Sequence, residues 1–447
     1  MDYRTHIPEA LKRLWTVLHA EAPTYLVGGA VRDLLRGVPA HDWDLATRLR
    51  PDEVRVQGQQ HGYRVVPTGI RFGTVTVLTE CGPVEVTTFR QDGRYVDGRH
   101  PQAVTFADTI ENDLSRRDLT INAMALRIDG SFIDLYGGAQ DLARRQIMTV
   151  GRPEYRFGED PLRMLRAVRF TGMDGGEFQL APSVFDAIRR LKPMICHVSR
   201  ERQRDELMKI LAQPNVGRAV AILDQTGLLG VIWPEWIATR GFAPGNPDHT
   251  KAVHEHLIAT AVAGPTPFMR LVGLLHDIAK PSCFFVDENG LEHFFEHDHV
   301  GAQYAERMLR HLAFDHAAIA RAAWLIDQHL FPWDDAGDKA IRRMIRKYGE
   351  EAVNQLLALR QMDEAGSGRE WKCEAKVRQR VTHLLSEESA TERRLAISGR
   401  DVMRIAGIRE GPEVGRILRR LQDWVDEDTK RNEYPQLVSR LIALLSR

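Results

Sequence analysis

The sequence contains no long apolar segment, few cysteines and no excess of charge of either sign. No apolar run approaches the roughly 18 residues that suggest a membrane-spanning helix. The N-terminal stretch MDYRTHIPEALKRLW lacks the apolar core of a secretory signal peptide. We therefore expect a cytoplasmic protein without a membrane anchor.

The cysteine spacing and the charge balance exclude further classes of protein. The four cysteines are widely separated and share no metal-ligand spacing, which argues against a zinc knuckle and against a disulfide framework. Lys and Arg together number 61, as do Asp and Glu, so no global positive field indicates a nucleic-acid partner. Any RNA binding must come from local basic patches.

The apolar pattern changes along the chain. A length of 447 residues favours several domains over one core. Over residues 1–150, short apolar runs with Gly and Pro between them predict a small mixed sheet with flanking helices, which is an α+β head. From about Phe157 the 3.6-residue helical period dominates. We expect an all-helical neck, body and tail to follow the head.

The segment YLVGGAVRDLLRGVPAHDWDLAT predicts a strand, a Gly-Gly turn, a helix, a loop and a second strand. Gly28 and Gly29 would let backbone N–H groups approach a polyphosphate, and the helix that opens at Ala30 directs its positive end to the same place. Arg32 in the first turn adds further donors.

Two carboxylates on the second strand are the candidate catalytic residues. Asp42 and Asp44 are two positions apart, so both leave the same face of the strand, while Trp43 and Leu45 face the core. Such a pair suits Mg²⁺, which prefers carboxylate and phosphate oxygens. Glu85, in an alternating run, offers a third carboxylate from a neighbouring strand. Alternatively, Glu85 is a solvated strand residue.

The stretch EDPLRMLRAVRF predicts a helix whose first turn holds Pro161. Cytosine and adenine both present an amine beside an unprotonated ring nitrogen. Asp160 can accept a hydrogen bond from the amine while Arg163 donates one to the ring nitrogen. Uracil and guanine instead present a carbonyl beside a ring N–H, so they would match neither side chain. The alternative is a solvated charged face. The predicted polar stripe consists of Asp160, Arg163, Arg166 and Arg169.

Several motifs occur together in one order: LVGGAVRD, DWDLAT, RRDLTINAMA (116–125), DLYGGAQDL (134–142) and GEDPLRMLRAVRF (158–170). They resemble those of the class II (eubacterial-type) tRNA nucleotidyltransferase and poly(A) polymerase family. GLLHDIAKP further resembles an HD domain, and ISGRDVMRIAGIREGPEVGRIL resembles the C-terminal region of HD-bearing members.

The resemblance assigns roles to further residues. It implies that Arg117 contacts the nucleotide phosphates and that Asp118 and Asn122 meet the ribose. The chemistry agrees, because both side chains can accept a hydrogen bond from a 2′-hydroxyl. An alternative is that Asp118 only caps a helix. Arg166 and Arg169 are implied to help hold the nucleotide.

A histidine-rich segment follows the predicted neck. By resemblance to HD domains, the candidate ligands of a second divalent metal are His256, His276, Asp277 and Asp363. Such a site suits phosphoester hydrolysis. The alternative is a retained helical scaffold whose metal site is vestigial.

The implied activity is Mg²⁺-dependent addition or repair of the tRNA 3′-terminal CCA from CTP and ATP, without a template and with release of pyrophosphate. Open alternatives are a CC-adding or A-adding enzyme, a poly(A) polymerase, and an HD phosphohydrolase with an RNA-binding head. The segment FRQDGRYVDGRHP resembles the mobile loop of full CCA enzymes. The predicted domains are a nucleotidyltransferase head (1–150), a helical neck and body (151–245), an HD domain (246–365) and a helical tail (366–447).

Overall fold

The computed structural model describes residues 3–40, 42–92, 104–173, 177–243, 252–389, 395–427 and 431–445. The chain divides into two compact units, Met1–Arg240 with Met308–Phe314, and Gly241–Arg307 with Asp315–Arg447. The finer division into four domains stays a prediction. Most of the loop segment FRQDGRYVDGRHP lies outside the described residues. Among the described helices, none is long and apolar enough to cross a bilayer.

The first unit begins with a head that has the predicted α+β architecture. In the described part of the chain, its main sheet has β1 (Thr24–Val27), β2 (Trp43–Thr47), β3 (Arg64–Gly69), β4 (Thr74–Thr79), β5 (Gly82–Thr88), β8 (Met124–Leu126) and β9 (Phe132–Asp134). The strand order is β3-β4-β5-β2-β1-β8-β9. A separate pair is formed by β6 (Arg90–Asp92) and β7 (Val104–Phe106). The head helices are α1 (Glu9–Glu21), α2 (Gly29–Arg36), α3 (Pro51–Gln60), α4 (Ile110–Ser115) and α5 (Gly138–Ala143).

Helix α1 covers one face of this sheet. Leu11, Leu14 and Leu18 recur at helical spacing and are fully buried. Each buried leucine contributes roughly 1.5–3 kcal/mol through removal of apolar surface from water. Trp15 between them donates its indole N–H to the carbonyl of Thr24 at 2.9 Å. This bond ties α1 to β1, the strand that leads into the Gly-Gly turn.

Strands β2 and β5 run parallel, and their register places two carboxylates side by side. Asp44 pairs with Glu85 across the two strands. Trp43 and Leu45 are buried in the core below them, as strand alternation predicts. Asp42 directly precedes β2, so it lies at the strand's entrance.

The rest of the first unit is almost entirely helical. Leu162, Leu165 and Val168 are buried along α7 (Leu162–Thr171), as the helical period predicts. Glu159 ends the preceding helix, because Asp160 has an extended backbone before Pro161. The other elements are β10 (Gln146–Ile147), α6 (Pro153–Glu159), β11 (Gln179–Leu180), α8 (Pro182–Leu191), α9 (Arg200–Leu211), α10 (Val216–Thr226), α11 (Leu228–Ile232) and α12 (Trp236–Thr239).

The chain from Gly241 onward is also mostly helical. Its long helix α17 is broken at Gly349, where φ is 83°. A capping box of Ser398 and Asp401 starts α19, which belongs to a separate C-terminal apolar core. The elements are α13 (Val253–Val262), α14 (Pro267–Leu275), β12 (Phe285–Val286), β13 (Glu292–His293), α15 (His297–His311), α16 (His316–Asp327), α17 (Asp338–Gly366), α18 (Glu374–Ser389), α19 (Gly399–Ala406), α20 (Pro412–Glu427) and α21 (Tyr434–Leu445).

Candidate active site

The Gly-Gly turn between β1 and α2 requires glycine at its first position. Gly28 has φ of 74°, a conformation that side chains disfavour. A Cβ atom there would lie 3.2 Å from Asp44 Oδ2 and 3.3 Å from Arg117 Nη1. The backbone of the turn therefore approaches the carboxylates and the arginine closely. Nearby, Arg32 donates to Asn122 Oδ1 at 2.8 Å, which links α2 to the RRDLTINAMA segment.

The carboxylates of Asp44 and Glu85 lie side by side on two central strands of the sheet, and Asp42 precedes one of them. Burial is the main cause that raises the pKa of Asp44 to about 6; the charge of Arg117 opposes this rise, and the charges of Glu85 and Asp42 add to it. A divalent cation would stabilise the charge of Asp44 beside these two carboxylates. Their all-oxygen donor set fits Mg²⁺.

The arginines of the RRDLTINAMA segment are held by a buried acid that sequence reasoning did not single out. Asp113 accepts from Arg116 at 2.7 Å through Oδ1 and from Arg117 at 3.0 Å through Oδ2. Burial raises the pKa of Asp113, but the two guanidinium groups outweigh that effect and lower it. The carboxylate therefore stays ionised and orients Arg117 toward the cleft.

Each member of the predicted polar stripe lies next to a side chain of opposite charge. Arg166 Nε donates to Asp118 Oδ2 at 2.6 Å. Burial raises the pKa of Asp118, yet the Arg166 charge holds it well below its usual range. The other pairs are Arg163 Nη1 with Glu159 Oε2 at 2.6 Å, Arg202 Nη2 with Asp160 Oδ2 at 2.6 Å, and Arg169 Nε with Glu206 Oε1 at 3.1 Å, the last without hydrogen-bond geometry.

Two of those partners come from α9, and the sequence pattern did not indicate them. Arg202 and Glu206 are four residues apart, so they share one face of α9. Glu206 is buried, and Arg202 lines the cleft with the α7 residues. Their spacing is visible in the sequence, but the packing of α9 on α7 is not.

All the residues predicted for nucleotidyl transfer line one cleft of about 960 Å³ in the first unit. The structure also adds Asp33, Arg36, Arg116, Arg202 and Phe170 to its walls. The predicted residues that it brings together are Gly28, Gly29, Arg32, Asp42, Asp44, Glu85, Arg117, Asp118, Asn122, Asp160, Arg163, Arg166 and Arg169.

The DLYGGAQDL motif supports this cleft from outside. Asp134 accepts from the backbone N–H of Gly138 at 2.8 Å and of Ala139 at 2.9 Å. A Cβ at Gly138 would lie 2.2 Å from the carbonyl oxygen of Thr120. Thr120 begins the short 3₁₀ turn that carries Asn122, so the motif positions a cleft residue without lining the cleft itself.

The predicted HD residues form a second, buried group. His256 Nε2 lies 3.1 Å from Asp363 Oδ1 and 3.4 Å from Asp277 Oδ2. His276 Nε2 lies 3.3 Å from Asp277 Oδ2. Ligand atoms of all four residues lie within 4.8 Å of one another, so the group could hold one metal ion. The structure therefore brings together side chains that are more than a hundred positions apart, as His256 and Asp363 are.

The electrostatics of this group favour a positive charge. Burial lowers the pKa of His276, but the adjacent Asp277 and Asp363 carboxylates outweigh burial and raise it to about 10. Its Nδ1–H donates to the carbonyl of Gly273 at 2.9 Å, which leaves Nε2 directed at the carboxylates. This orientation is the one that metal-binding histidines adopt. Two further histidines approach Asp277 and were not among the predicted ligands: His297 and His329.

The chain matches three known sequence families in succession. Residues 24–148 match the poly A polymerase head domain. Residues 177–239 match the family described as the probable RNA and SrmB-binding site of polymerase A, and residues 258–365 match the HD domain. Fold and cleft thus define a nucleotidyltransferase head followed by an HD domain.

Whole-chain comparisons narrow this class. The CCA-adding enzyme of Levilactobacillus brevis is 32% identical over 97% of this chain and 98% of that protein. The crystal structure of Bacillus stearothermophilus CCA-adding enzyme in complex with CTP matches with a TM-score of 0.72 and 28% identity, over 98% of this chain and 97% of that one. The Thermotoga maritima CCA-adding enzyme complexed with tRNA shares the fold, with a TM-score of 0.64 at 18% identity over 99% and 97% of the chains. The chain belongs to the CCA-adding enzyme family, as its motifs predicted.

Proposed function

We propose that this chain adds or repairs the 3′-terminal CCA of tRNA in the cytoplasm, using CTP and ATP without a nucleic-acid template. The RNA 3′-oxygen attacks the α-phosphorus, the bond to the β-phosphate oxygen breaks, and pyrophosphate leaves. The observation that carries this proposal is the single cleft in which three carboxylates face a Gly-Gly turn and an arginine-bearing helix.

Asp42, Asp44 and Glu85 would hold Mg²⁺, because they line one cleft and the charges of Asp42 and Glu85 add to the burial that raises the pKa of Asp44. Bound there, Mg²⁺ would acidify the attacking hydroxyl and offset the charge of the leaving pyrophosphate. Arg117 is oriented by Asp113 and donates to the triphosphate. The close approach of Gly28 adds backbone N–H groups for the same anion.

Nucleotide selection rests on Asp160 and Arg163, whose ion pairs hold them in place. Asp160 accepts from Arg202 and from the backbone N–H of Leu162, and Arg163 donates to Glu159 and to the carbonyl of Arg116. Both side chains keep capacity for a base edge. Because a buried acceptor or donor left unpaired is costly, uracil and guanine would be rejected.

Ribose recognition is assigned to Asp118 and Asn122. Asn122 accepts from Arg32 through Oδ1, which directs its amide N–H groups elsewhere as donors. Asp118 retains acceptor capacity beside its bonds to Arg166 and to the N–H of Leu119. One donor and one acceptor suit a pair of ribose hydroxyls.

Transcripts of tRNA that end before the CCA, after its first C and after its second C test this function. Each is incubated with labelled CTP, ATP, UTP or GTP, singly and together. We expect two C residues and then one A, with no growth beyond that point. Addition of C alone or of A alone would indicate a partial enzyme, and continued A addition would indicate a poly(A) polymerase.

We further propose that His256, His276, Asp277 and Asp363 hold a divalent metal and that this HD site hydrolyses phosphoesters. The convergence of the four side chains and the full burial of His276 and Asp277 support it. The test compares wild type with His276→Ala and with His299→Ala, an exposed histidine. Mn²⁺-dependent hydrolysis of bis(p-nitrophenyl) phosphate should disappear only in His276→Ala, while nucleotide addition persists in both. Equal hydrolysis in all three proteins would contradict an active HD site.

A further inference from the structure

The last residue of the family motif on α7, Phe170, has no role in the proposed function. It follows Arg166 by four positions and Arg163 by seven, so helical spacing places it on the side of the predicted polar stripe. Phe170 is only 7% exposed, yet it lines the cleft. An aromatic ring therefore forms part of a wall in which charged side chains predominate.

Two guanidinium groups lie over this ring. The Cζ atom of Arg32 is 5.1 Å from the ring centroid, and that of Arg169 is 4.7 Å from it. Both distances are below the ~6 Å within which the negative face of an aromatic ring attracts a cation. Consecutive residues of a helix do not face each other, so the Arg169 side chain has to fold back to reach the ring. Phe170 thus connects a cation of α2 with a cation of α7.

Arg32 is anchored by further partners, independently of the ring. Its Nε and Nη2 donate to the two carboxylate oxygens of Asp33 at 3.0 Å and 2.9 Å, and its Nη1 donates to Asn122 Oδ1 at 2.8 Å. A bidentate pair of this kind fixes the plane of a guanidinium as well as its position. Arg32 is therefore a fixed point against which the Phe170 ring packs.

Arg169 is held less specifically. Its Nε lies 3.1 Å from Glu206 Oε1, but neither atom has a hydrogen-bond partner within the described residues. Burial is the main cause that lowers the pKa of Arg169; the charge of Glu206 opposes this effect, and the charge of Arg32 adds to it. An ion pair without hydrogen-bond geometry attracts a guanidinium but does not orient it. The contact with the ring supplies that orientation.

We propose that Phe170 is a positioning residue for nucleotide binding: its ring holds the guanidinium of Arg169 in the cleft, against the anchored Arg32, through two cation–π contacts. This inference rests on the proposed function, because the ligand that both arginines would meet is CTP or ATP. Donors that are already in place bind an anionic ligand more tightly, since less side-chain freedom is lost on binding. The role concerns affinity and not the choice of base, which the proposed function assigns to Asp160 and Arg163.

Graded fluorination of the ring tests these contacts directly. Mono-, di- and trifluorinated phenylalanine are incorporated at position 170 of the full-length protein, because fluorine weakens the negative ring face and changes the shape of the side chain little. The dissociation constants of CTP and ATP are measured by calorimetry in Mg²⁺. Both should rise with each step, by roughly 3- to 10-fold in total. The ratio of CTP to UTP incorporation should stay constant.

The same amino acids at position 157 provide the control. Phe157 of α6 is fully buried and is not among the described residues that line the cleft. We expect no change in either dissociation constant there. Urea unfolding of each protein shows whether fluorination alters folding.

A double-mutant cycle shows whether the ring acts through Arg169. Phe170→Leu keeps an apolar side chain without an aromatic face, and Arg169→Gln removes the cation. Each single change should weaken CTP binding, and Phe170→Leu should have little further effect in the Arg169→Gln protein. Effects that add fully would contradict positioning through Arg169. Should Phe170→Leu fail to fold, Phe170→Met takes its place.

The outcomes separate this inference from the proposed function. Wild type that binds neither CTP nor ATP would overturn both. Wild type that adds CCA, while fluorination at position 170 leaves both dissociation constants unchanged or raises them no more than at position 157, would overturn the positioning role alone. Tighter binding on fluorination would also overturn it, since the ring would then hold the guanidinium groups away from the nucleotide. A stepwise rise at position 170 and none at position 157 is the result we expect.

Discussion

Arg202 donates to the carboxylate of Asp160 at 2.6 Å, joining α9 to the residue that precedes Pro161 and helix α7. Asp160 also accepts from the backbone N–H of Leu162 at 3.1 Å, so its orientation is held from two sides. In the proposed selection of the base, Asp160 is thus held by a residue that does not itself belong to the family motif.

Arg202→Gln should weaken the interaction that orients Asp160 and lower kcat/KM for both CTP and ATP. A hydrogen bond to a charged group contributes about 1.5–3 kcal/mol, which corresponds to a loss of roughly 10- to 100-fold. Misincorporation of UTP should rise relative to CTP. Steady-state kinetics with each nucleotide measure both effects. Arg189→Gln, an exposed change on α8, serves as the control, and equal kinetics for the two variants would contradict the assignment.

Asp44→Asn should abolish nucleotide addition, with a loss of at least about 10²-fold in kcat. In the absence of metal the same variant should be as stable as wild type or more stable, because one of three mutually repelling carboxylates loses its charge. Urea unfolding in EDTA and in Mg²⁺ measures this, and only wild type should gain stability with Mg²⁺. Asp52→Asn, an exposed change on α3, is the control. A large loss of stability in Asp44→Asn without metal would argue against the repulsion.

Asp118→Asn should destabilise the first unit by about 1–3 kcal/mol, since Arg166 loses a buried charged partner. Folding lowers the pKa of Asp118, so the ionised carboxylate contributes to folding stability above its unfolded pKa of about 3.9. This contribution is lost as the pH falls below that value. The difference in unfolding free energy between variant and wild type should therefore be constant from pH 7 to about pH 5 and should shrink below about pH 4. Urea titrations across this range measure it, and a difference that grows toward acid pH would contradict the ion pair.

The two glycines of the DLYGGAQDL motif should respond differently to alanine. At Gly137 a Cβ meets nothing within 4 Å, but φ is 72°, so alanine should cost about 1–2 kcal/mol of backbone strain. At Gly138 the Cβ would lie 2.2 Å from the Thr120 carbonyl, so the turn that carries Asn122 must shift. Gly138→Ala should therefore lower stability more and also raise KM for the nucleotide. Unfolding curves and kinetics of the two variants compare them, and an unchanged KM in Gly138→Ala would show that the turn is not coupled to the cleft.

Local periodicity was sufficient to predict the head's central motif. The strand, Gly-Gly turn, helix and strand from Thr24 to Thr47 follow from apolar alternation and glycine position within a few residues. The burial of Trp43 and Leu45 beneath the carboxylates follows from the same alternation. The break between α6 and α7 has a local cause too, since the extended residue before a proline separates the two helices.

Such local patterns could not predict contacts between segments that are distant in the sequence. Arg202, Glu206 and Asp113 have the charge pattern of ordinary solvated helix faces, and only packing on α7 and on the RRDLTINAMA segment makes them partners of the cleft. In the histidine-rich region, His297 and His299 are two positions apart and chemically identical, yet one is buried against Asp277 and the other is exposed.

The sequence by itself determined the α+β class of the head, the family and the residue types of both sites, because motifs and periodicity are encoded in short stretches of chain. The tertiary structure alone decided which charges meet: the parallel register of β2 and β5, the packing of α9 on α7, and the burial of two more histidines around Asp277. Those pairings join residues far apart in the chain, and their energies depend on burial, which only the folded core determines.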